Sequence, residues 1–176
     1  MSAITITPFS ADDLVRHLPE LGALLHACVH DGASVGFVMP YGVADSEAFW
    51  RGKVLPSLRA GGLMLFVARE GDAIAGTVQL DCDTMPNQRH RAEVRKLLVH
   101  PAFRRRGIAR ALMTELERHA RHLRRSLLTL DTRTGDHAEP LYSALGYRTA
   151  GVIPGYAQAS HDEGRLDATT IMYKAL

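Results

Sequence analysis

Apolar and polar residues change period several times along this chain, and each change marks an element. Residues 3–7 alternate around β-branched side chains and read as a first or edge strand. Ser10 stands where a helix N-cap belongs, with Asp12 and Asp13 in the first turn. Leu14, Leu18, Leu21, Leu25 and Cys28 then fall at helical spacing, with Pro19 inside the stripe, which predicts a kink or two short helices. A second helix over 45–59 offers Phe49, Trp50, Val54 and Leu58 for packing. Residues 63–68 form a continuous apolar run. The turn Glu70-Gly71-Asp72 joins it to a second run over 73–80, giving a hairpin. After a polar connection over 81–89, residues 91–99 make another strand.

From Ile108 the apolar positions are Ile108, Leu112, Leu116, Ala120 and Leu123, one stripe of an amphipathic helix. A strand over 126–131 follows. A helical crossover makes it parallel to the strand at 91–99. A short helix over 136–145 has Asp136 and Glu139 at capping-box spacing, tolerates Pro140 in its first turn and ends at Gly146. Two strands, 147–153 and 168–173, close the pattern, with a polar loop over 158–164 between them. With neither a repeat nor a linker in the sequence, one domain over residues 1–176 is expected.

The stretch from Ala92 to Met113, A-E-V-R-K-L-L-V-H-P-A-F-R-R-R-G-I-A-R-A-L-M, carries the chemistry. A strand runs into a glycine turn and then a helix. The first turn of a helix has unpaired N–H groups and the positive end of the helix dipole. Gly107 has no side chain to keep an anion away, and Arg104, Arg105, Arg106 and Arg110 surround it with positive charge. This combination reads as a phosphate or pyrophosphate cradle. It is neither a G-x-G-x-x-G nor a G-x-x-x-x-G-K-[ST] site.

Composition narrows the classes. The 176 residues are 46% hydrophobic and 23% charged, ordinary for a globular protein. Net charge is only +2. Arginines crowd residues 104–125, but no aromatic after Phe103 interleaves them to stack bases, so nucleic acid is not an expected partner. Cys28 and Cys82 lack metal or redox spacing, so no metal is expected and the thiols are read as reduced. No apolar run suits a membrane span or a signal peptide, and the expected location is the cytoplasm. The loop over 32–42, G-A-S-V-G-F-V-M-P-Y-G, is unusually apolar and either lines a binding site or packs over the core. Phe37 and Tyr41 in it, with nearby Trp50, are the candidate substrate-binding residues.

The run V-x-P-x-x-R-x-x-G-x-A, Val99 to Ala109, resembles the acetyl-CoA signature of the GNAT superfamily of N-acetyltransferases: a Gln or Arg, two residues, Gly, one residue, then Gly or Ala. Arg104, Gly107 and Ala109 match it. A second signature of that family is matched by Ala138, Tyr142, Gly146 and Tyr147, while Gly135 stands where the family has Asn. That departure removes the side-chain contact to pantetheine which the Asn usually makes. The segments A-E-V-R-K-L-L-V, L-L-T-L-D-T and A-E-P-L-Y-S-A-L-G-Y are similar to the tabtoxin-resistance type of small-molecule acetyltransferase. The resemblance implies an α+β fold, with a mixed, mostly antiparallel sheet of about seven strands flanked by helices. It also implies acetyl-CoA as co-substrate and a monomer or homodimer. The backbone of Leu97, Leu98 and Val99 would hold pantetheine and the acetyl carbonyl. The N–H groups from Arg105 through Arg106, Gly107, Ile108 and Ala109 to Arg110 would hold the pyrophosphate.

Acetyl transfer to an amine needs a base for the ammonium proton, a donor for the carbonyl oxygen and an acid for the departing thiolate. Glu93, early on its strand, and Asp131, at the end of the parallel strand beside it, are the candidate bases. Either could instead bind the substrate ammonium, pair with a neighbouring arginine or cap a turn. Tyr142 matches the family's acid. The expected function is acetylation of a primary amine on a small, antibiotic- or toxin-like molecule. Alternatives are a protein N-terminus or lysine as acceptor, and a non-catalytic CoA sensor.

Overall fold

The computed structural model describes residues 3–176. Seven strands form one sheet in the order β1-β2-β3-β4-β5-β7-β6. They are β1 (Ile4–Phe9), β2 (Leu63–Glu70), β3 (Ala73–Asp81), β4 (Arg91–Val99), β5 (Leu127–Arg133), β6 (Arg148–Ala159) and β7 (Asp162–Ala175). Every neighbouring pair is antiparallel except β4 and β5. That pair is joined through helix α5 (Ile108–His122), as a parallel connection requires. The remaining helices are α1 (Ala11–Arg16), α2 (Leu18–His30), α3 (Val43–Phe49), α4 (Leu55–Arg59) and α6 (Ala138–Ala144). This is the α+β architecture expected from the sequence. Among the described residues, no helix is long and apolar enough to cross a membrane.

Both faces of the sheet are covered, and the strands divide their side chains between two cores. Leu65 and Val67 of β2 pack with Leu14, Leu21, Leu25, Trp50 and Val54 on the side of α1 to α4. The intervening Phe66 and Ala68 pack with Ile108, Leu112, Met113 and Leu116 of α5. Double-sided burial explains why β2 and β3 read as continuous apolar runs without alternation.

Local chemistry sets the helix ends. Ser10 and Asp13 form a reciprocal capping box at the start of α1. Pro19 falls at the start of α2, so the expected break lies between Arg16 and Leu18. The helix predicted over 45–59 is interrupted by a π turn at Trp50–Val54. Pro56 has no N–H and its ring would press on the carbonyl of Gly52, and the wider turn just before it relieves that conflict. At α6 the predicted Asp136/Glu139 box is replaced by two separate contacts. Asp136 accepts from the Ala138 N–H at 3.1 Å, and Glu139 reaches back to the Gly135 N–H at 2.6 Å.

The polar loop predicted over 158–164 is a correction. β6 and β7 extend to Ala159 and Asp162, and only Ser160 and His161 make the turn. Most of β6 is exposed, so this arm has no buried face to give it an apolar period. Pro154 is tolerated because β6 is an edge strand. Pairing skips from Ile153 opposite Thr169 to Ala157 opposite Asp167, a bulge around Gly155 at φ +61°.

Among the described glycines, Gly76 of β3 leaves the least room for a side chain. A Cβ there would lie 2.5 Å from the Leu98 carbonyl and 3.3 Å from side-chain atoms of both Ile108 and Leu112. Gly76→Ala is therefore expected to destabilise the protein by about 1–3 kcal/mol, read as a lower urea midpoint with an unchanged slope.

Candidate active site

β4 and β5 pair only through Arg91–Leu127, Ala92–Leu128 and Glu93–Thr129, then part. The parting coincides with a bulge in β4: Thr77 faces Leu98 while Gln79 already faces Arg95. Lys96, within it, adopts φ +49°, the left-handed region that a residue with a side chain enters at a cost of roughly 1–2 kcal/mol. A cleft of about 1130 Å³ occupies the opening. The candidate residues Phe37, Glu93, Leu97, Leu98, Val99, Asp131 and Tyr142 all line it.

At one end lies the turn into α5. A short 3₁₀ turn, Pro101–Phe103, leads to Arg104, and Gly107 sits at the helix N-cap with φ +78° and no side-chain cap. The N–H groups of residues 105–110 have no acceptor among the described residues. A Cβ on Gly107 would meet nothing within 4 Å, so open space stands over this row. A row of unpaired donors at the positive end of a 15-residue helix is a fitted site for a phosphate or pyrophosphate.

The arginines divide. Arg105 and Arg110 are exposed at the cleft and have no carboxylate partner among the described residues. Arg104 is ion-paired with Asp31 and its Nε donates to the Val99 carbonyl at 3.4 Å. For Arg106 only the side-chain charge is corrected, since its N–H stays in the unpaired row. Its guanidinium pairs with Glu70 at 2.7 Å and lies over the Phe103 ring, and it does not line the cleft. Glu70 ends β2, so the β2–β3 hairpin competes for that charge.

The two candidate carboxylates have different surroundings. Glu93 is held by Arg95 through two hydrogen bonds, 3.0 and 3.1 Å, and Arg95 also binds Asp81 at 2.7 Å. Asp131 has no cation partner among the described residues. One of its oxygens is 3.1 Å from the Thr169 hydroxyl. Tyr142 is buried, and its hydroxyl has no hydrogen-bond partner within the described residues. Burial raises its pKa above the ordinary tyrosine range, and the negative charges of Asp136 and Asp131 act in the same direction. It is a phenol held protonated.

Two of the three expected substrate-binding residues lie elsewhere. Trp50 is wholly buried, its indole N–H donating to the Leu21 carbonyl at 2.8 Å. Tyr41 is buried against Phe37, outside the cleft lining. A large aromatic ring, on a helix as Trp50 or in a loop as Tyr41, finds more apolar area in the core than at a cleft. Phe49, one position before Trp50, takes the cleft position instead. Sequence reasoning missed Asp81, Arg95, Lys96, Arg133 and Thr169, which also line it. Lys96 adjoins Arg95 at the point where the strand turns apolar, and nothing in that local pattern separates the two.

The loop over 31–42 is pinned across the cleft. The Ser160 hydroxyl donates to the Ala33 carbonyl at 3.0 Å, and the Met39 N–H to the Ser160 carbonyl at 2.9 Å. Arg133 of β5 reaches the Gly32 carbonyl at 3.3 Å, and Lys96 of β4 reaches that of Val35 at 2.7 Å. Both parted strands therefore hold the same loop.

A model of the acetyltransferase (GNAT) family matches residues 39–147 of this chain. An uncharacterized N-acetyltransferase of the hisH-hisA intergenic region of Azospirillum brasilense is 32% identical over 114 residues, 64% of this chain and 66% of that relative. Among solved structures, a ribosomal-protein-alanine N-acetyltransferase from Brucella melitensis superposes with a TM-score of 0.80 at 21% identity, covering 98% of this chain and 99% of that one. The putative acetyltransferase yncA from Salmonella typhimurium, solved with acetyl-CoA, gives 0.77 at 18% identity, covering 99% and 95%.

The free N–H row makes a direct prediction. Gly107→Asp, which keeps a residue tolerant of the left-handed turn but sets a carboxylate over the donors, is expected to weaken CoA binding about ten-fold or more by calorimetry. An unchanged dissociation constant would remove this turn from the cofactor site.

Proposed function

This chain belongs to the GNAT acetyltransferase family, and from that premise we propose that it transfers the acetyl group of acetyl-CoA to the primary amine of a small molecule. One observation carries the reading. A carboxylate and a protonated phenol that have no partner cation or acceptor among the described residues, Asp131 and Tyr142, line the same cleft as the unpaired N–H row. An acetyltransferase site needs a proton acceptor, a proton donor and a diphosphate cradle together.

In this reading residues 105–110 hold the pyrophosphate through their N–H groups, with Arg105 and Arg110 adding charge. The β4 backbone from Leu97 to Val99 holds the pantetheine. CoA supplies the activated thioester. Asp131 receives the proton of the acceptor ammonium, directly or through water, since a free alkyl amine has a pKa of about 10 and does not attack while charged. Tyr142 gives its proton to the departing sulfur and regains one from the nitrogen as the amide forms, while Asp131 releases its proton to solvent. Glu93 has a weaker claim as base because Arg95 already occupies both its oxygens. It orders the Arg95–Asp81 cluster at the closed end of the cleft.

The pinned loop over 31–42 supports a small acceptor over a polypeptide, because a peptide chain needs an open groove through the place this loop covers. The sequence likeness to the tabtoxin-resistance type puts antibiotic- and toxin-like amino compounds first among acceptors. The test is thiol release from acetyl-CoA across a panel of such compounds, aminoglycosides and peptides. Turnover confined to peptides would move the assignment to protein acetylation. Binding of acetyl-CoA without turnover of any acceptor would favour a sensor.

Asp131→Asn is expected to lower kcat/KM about 10²–10⁴-fold, and Tyr142→Phe to lower kcat about 10²-fold with CoA binding retained in both. Because burial holds the Tyr142 hydroxyl protonated beyond its ordinary range, the kcat profile is expected to show no alkaline loss near pH ~10. A limb there, abolished by Tyr142→Phe, would contradict the assigned environment.

A further inference from the structure

Among the described residues, Lys96 alone of the cleft's lysines and arginines is both half-buried and without a carboxylate. Arg95, Arg104 and Arg133 are each ion-paired, and Lys53, Arg105 and Arg110 are exposed. The Lys96 ammonium donates to the Val35 carbonyl at 2.7 Å and lies 5.6 and 5.5 Å from the ring centres of Phe37 and Phe49. One carbonyl and two aromatic faces compensate a cation less well than a carboxylate does. Burial, reinforced by the charge of Arg95, accordingly lowers the pKa of Lys96, with Asp131 and Glu93 opposing. The residue also stands at φ +49° in the β4 bulge. Backbone strain and an uncompensated charge thus fall on one side chain, in the cleft, on the strand opposite Asp131.

We propose that Lys96 is the anchor for an anionic group on the acceptor, so that the preferred substrates are amines that also carry a carboxylate. This rests on the acetyltransferase reading above. The two unpaired groups of the cleft then divide the work: Asp131 takes the ammonium end of a zwitterion and Lys96 its carboxylate. An incoming carboxylate displaces no existing ion pair, as it would at Arg95, Arg104 or Arg133. The Phe37 and Phe49 rings, which line the cleft beside the ammonium, restrict the water that would otherwise screen the new pair.

A structural strap between β4 and the loop is the competing role, so the readout is a ratio that general loss of fold or activity leaves unmoved. Amino carboxylic acids and their matched carboxamides, including the α-amino acids and short ω-amino acids, are compared as acceptors at saturating acetyl-CoA. The same pairs are titrated calorimetrically into the CoA-loaded protein. The wild type is expected to prefer the acid of an accepted pair by about ten-fold or more, the usual worth of one charge-assisted hydrogen bond. Lys96→Met keeps the stem over the rings and removes the charge, and is expected to bring the ratio to about one through KM. Lys96→Arg is expected to keep part of it. Equal treatment of acid and amide by the wild type would overturn the proposal, as would a ratio that survives Lys96→Met. So would an effect of that variant on acetyl-CoA binding alone. The calorimetric ratio exists whether or not a pair turns over. A preference for acids in binding without any acetylation would therefore sink the catalytic reading while upholding the anchor, and turnover without acid preference would do the reverse.

Discussion

The parting of β4 from β5 is the constraint on which everything else depends. Two parallel strands buried in the middle of a sheet would ordinarily stay hydrogen-bonded along their length, because an unpaired buried backbone group is expensive. Here they pair over three residues and separate. The bulge at Lys96 turns β4 away, and its far end is supported from the other side by β3 and by α5, with Gly76 giving up a side chain so that the Leu98 carbonyl and the start of α5 can close in. The opened strand exposes backbone to a ligand, and the helix that makes the crossover begins at the mouth of the opening. Cleft and unpaired N–H row are thus one topological event, since the connection that lets β4 and β5 run parallel also delivers a helix N-terminus to the gap between them.

Charge pairing then sorts the residues of the cleft. Several candidates of similar residue type turn out to have different availability. Arg106 is committed to Glu70, Arg104 to Asp31, and Glu93 to Arg95. Arg105, Arg110, Asp131 and Lys96 are left without such partners among the described residues. Already paired groups hold the walls, and the unpaired ones are those with something to offer a ligand. The loop over 31–42 is tied to both β4 and β5, so the walls of the cleft are linked through its cover.

How much of this was legible beforehand follows the physics of each signal. The element order, the break at Pro19, the Ser10 cap and the glycine turn into α5 were readable because each rests on local chemistry: a fixed period, a ring without an N–H, a side chain that reaches its own backbone, a glycine before a helix. The long β6–β7 arm was not, because it is mostly exposed and carries no apolar period. Trp50 and Tyr41 were misplaced because aromatic residues look alike in sequence whether they face a cleft or the core. One helical position separates Trp50, buried, from Phe49, at the cleft.

By itself, then, the sequence determined the family, the order of strands and helices and the glycine turn that opens α5, because these depend on patterns among residues close in the chain. Tertiary structure alone decided which charges are spent on one another and which remain for a ligand. Arg104 meets Asp31 from 73 residues away, Arg106 meets Glu70 from 36, and Lys96 meets Val35 from 61. Such partnerships are made by the folding of distant segments onto one sheet, and no local pattern records them.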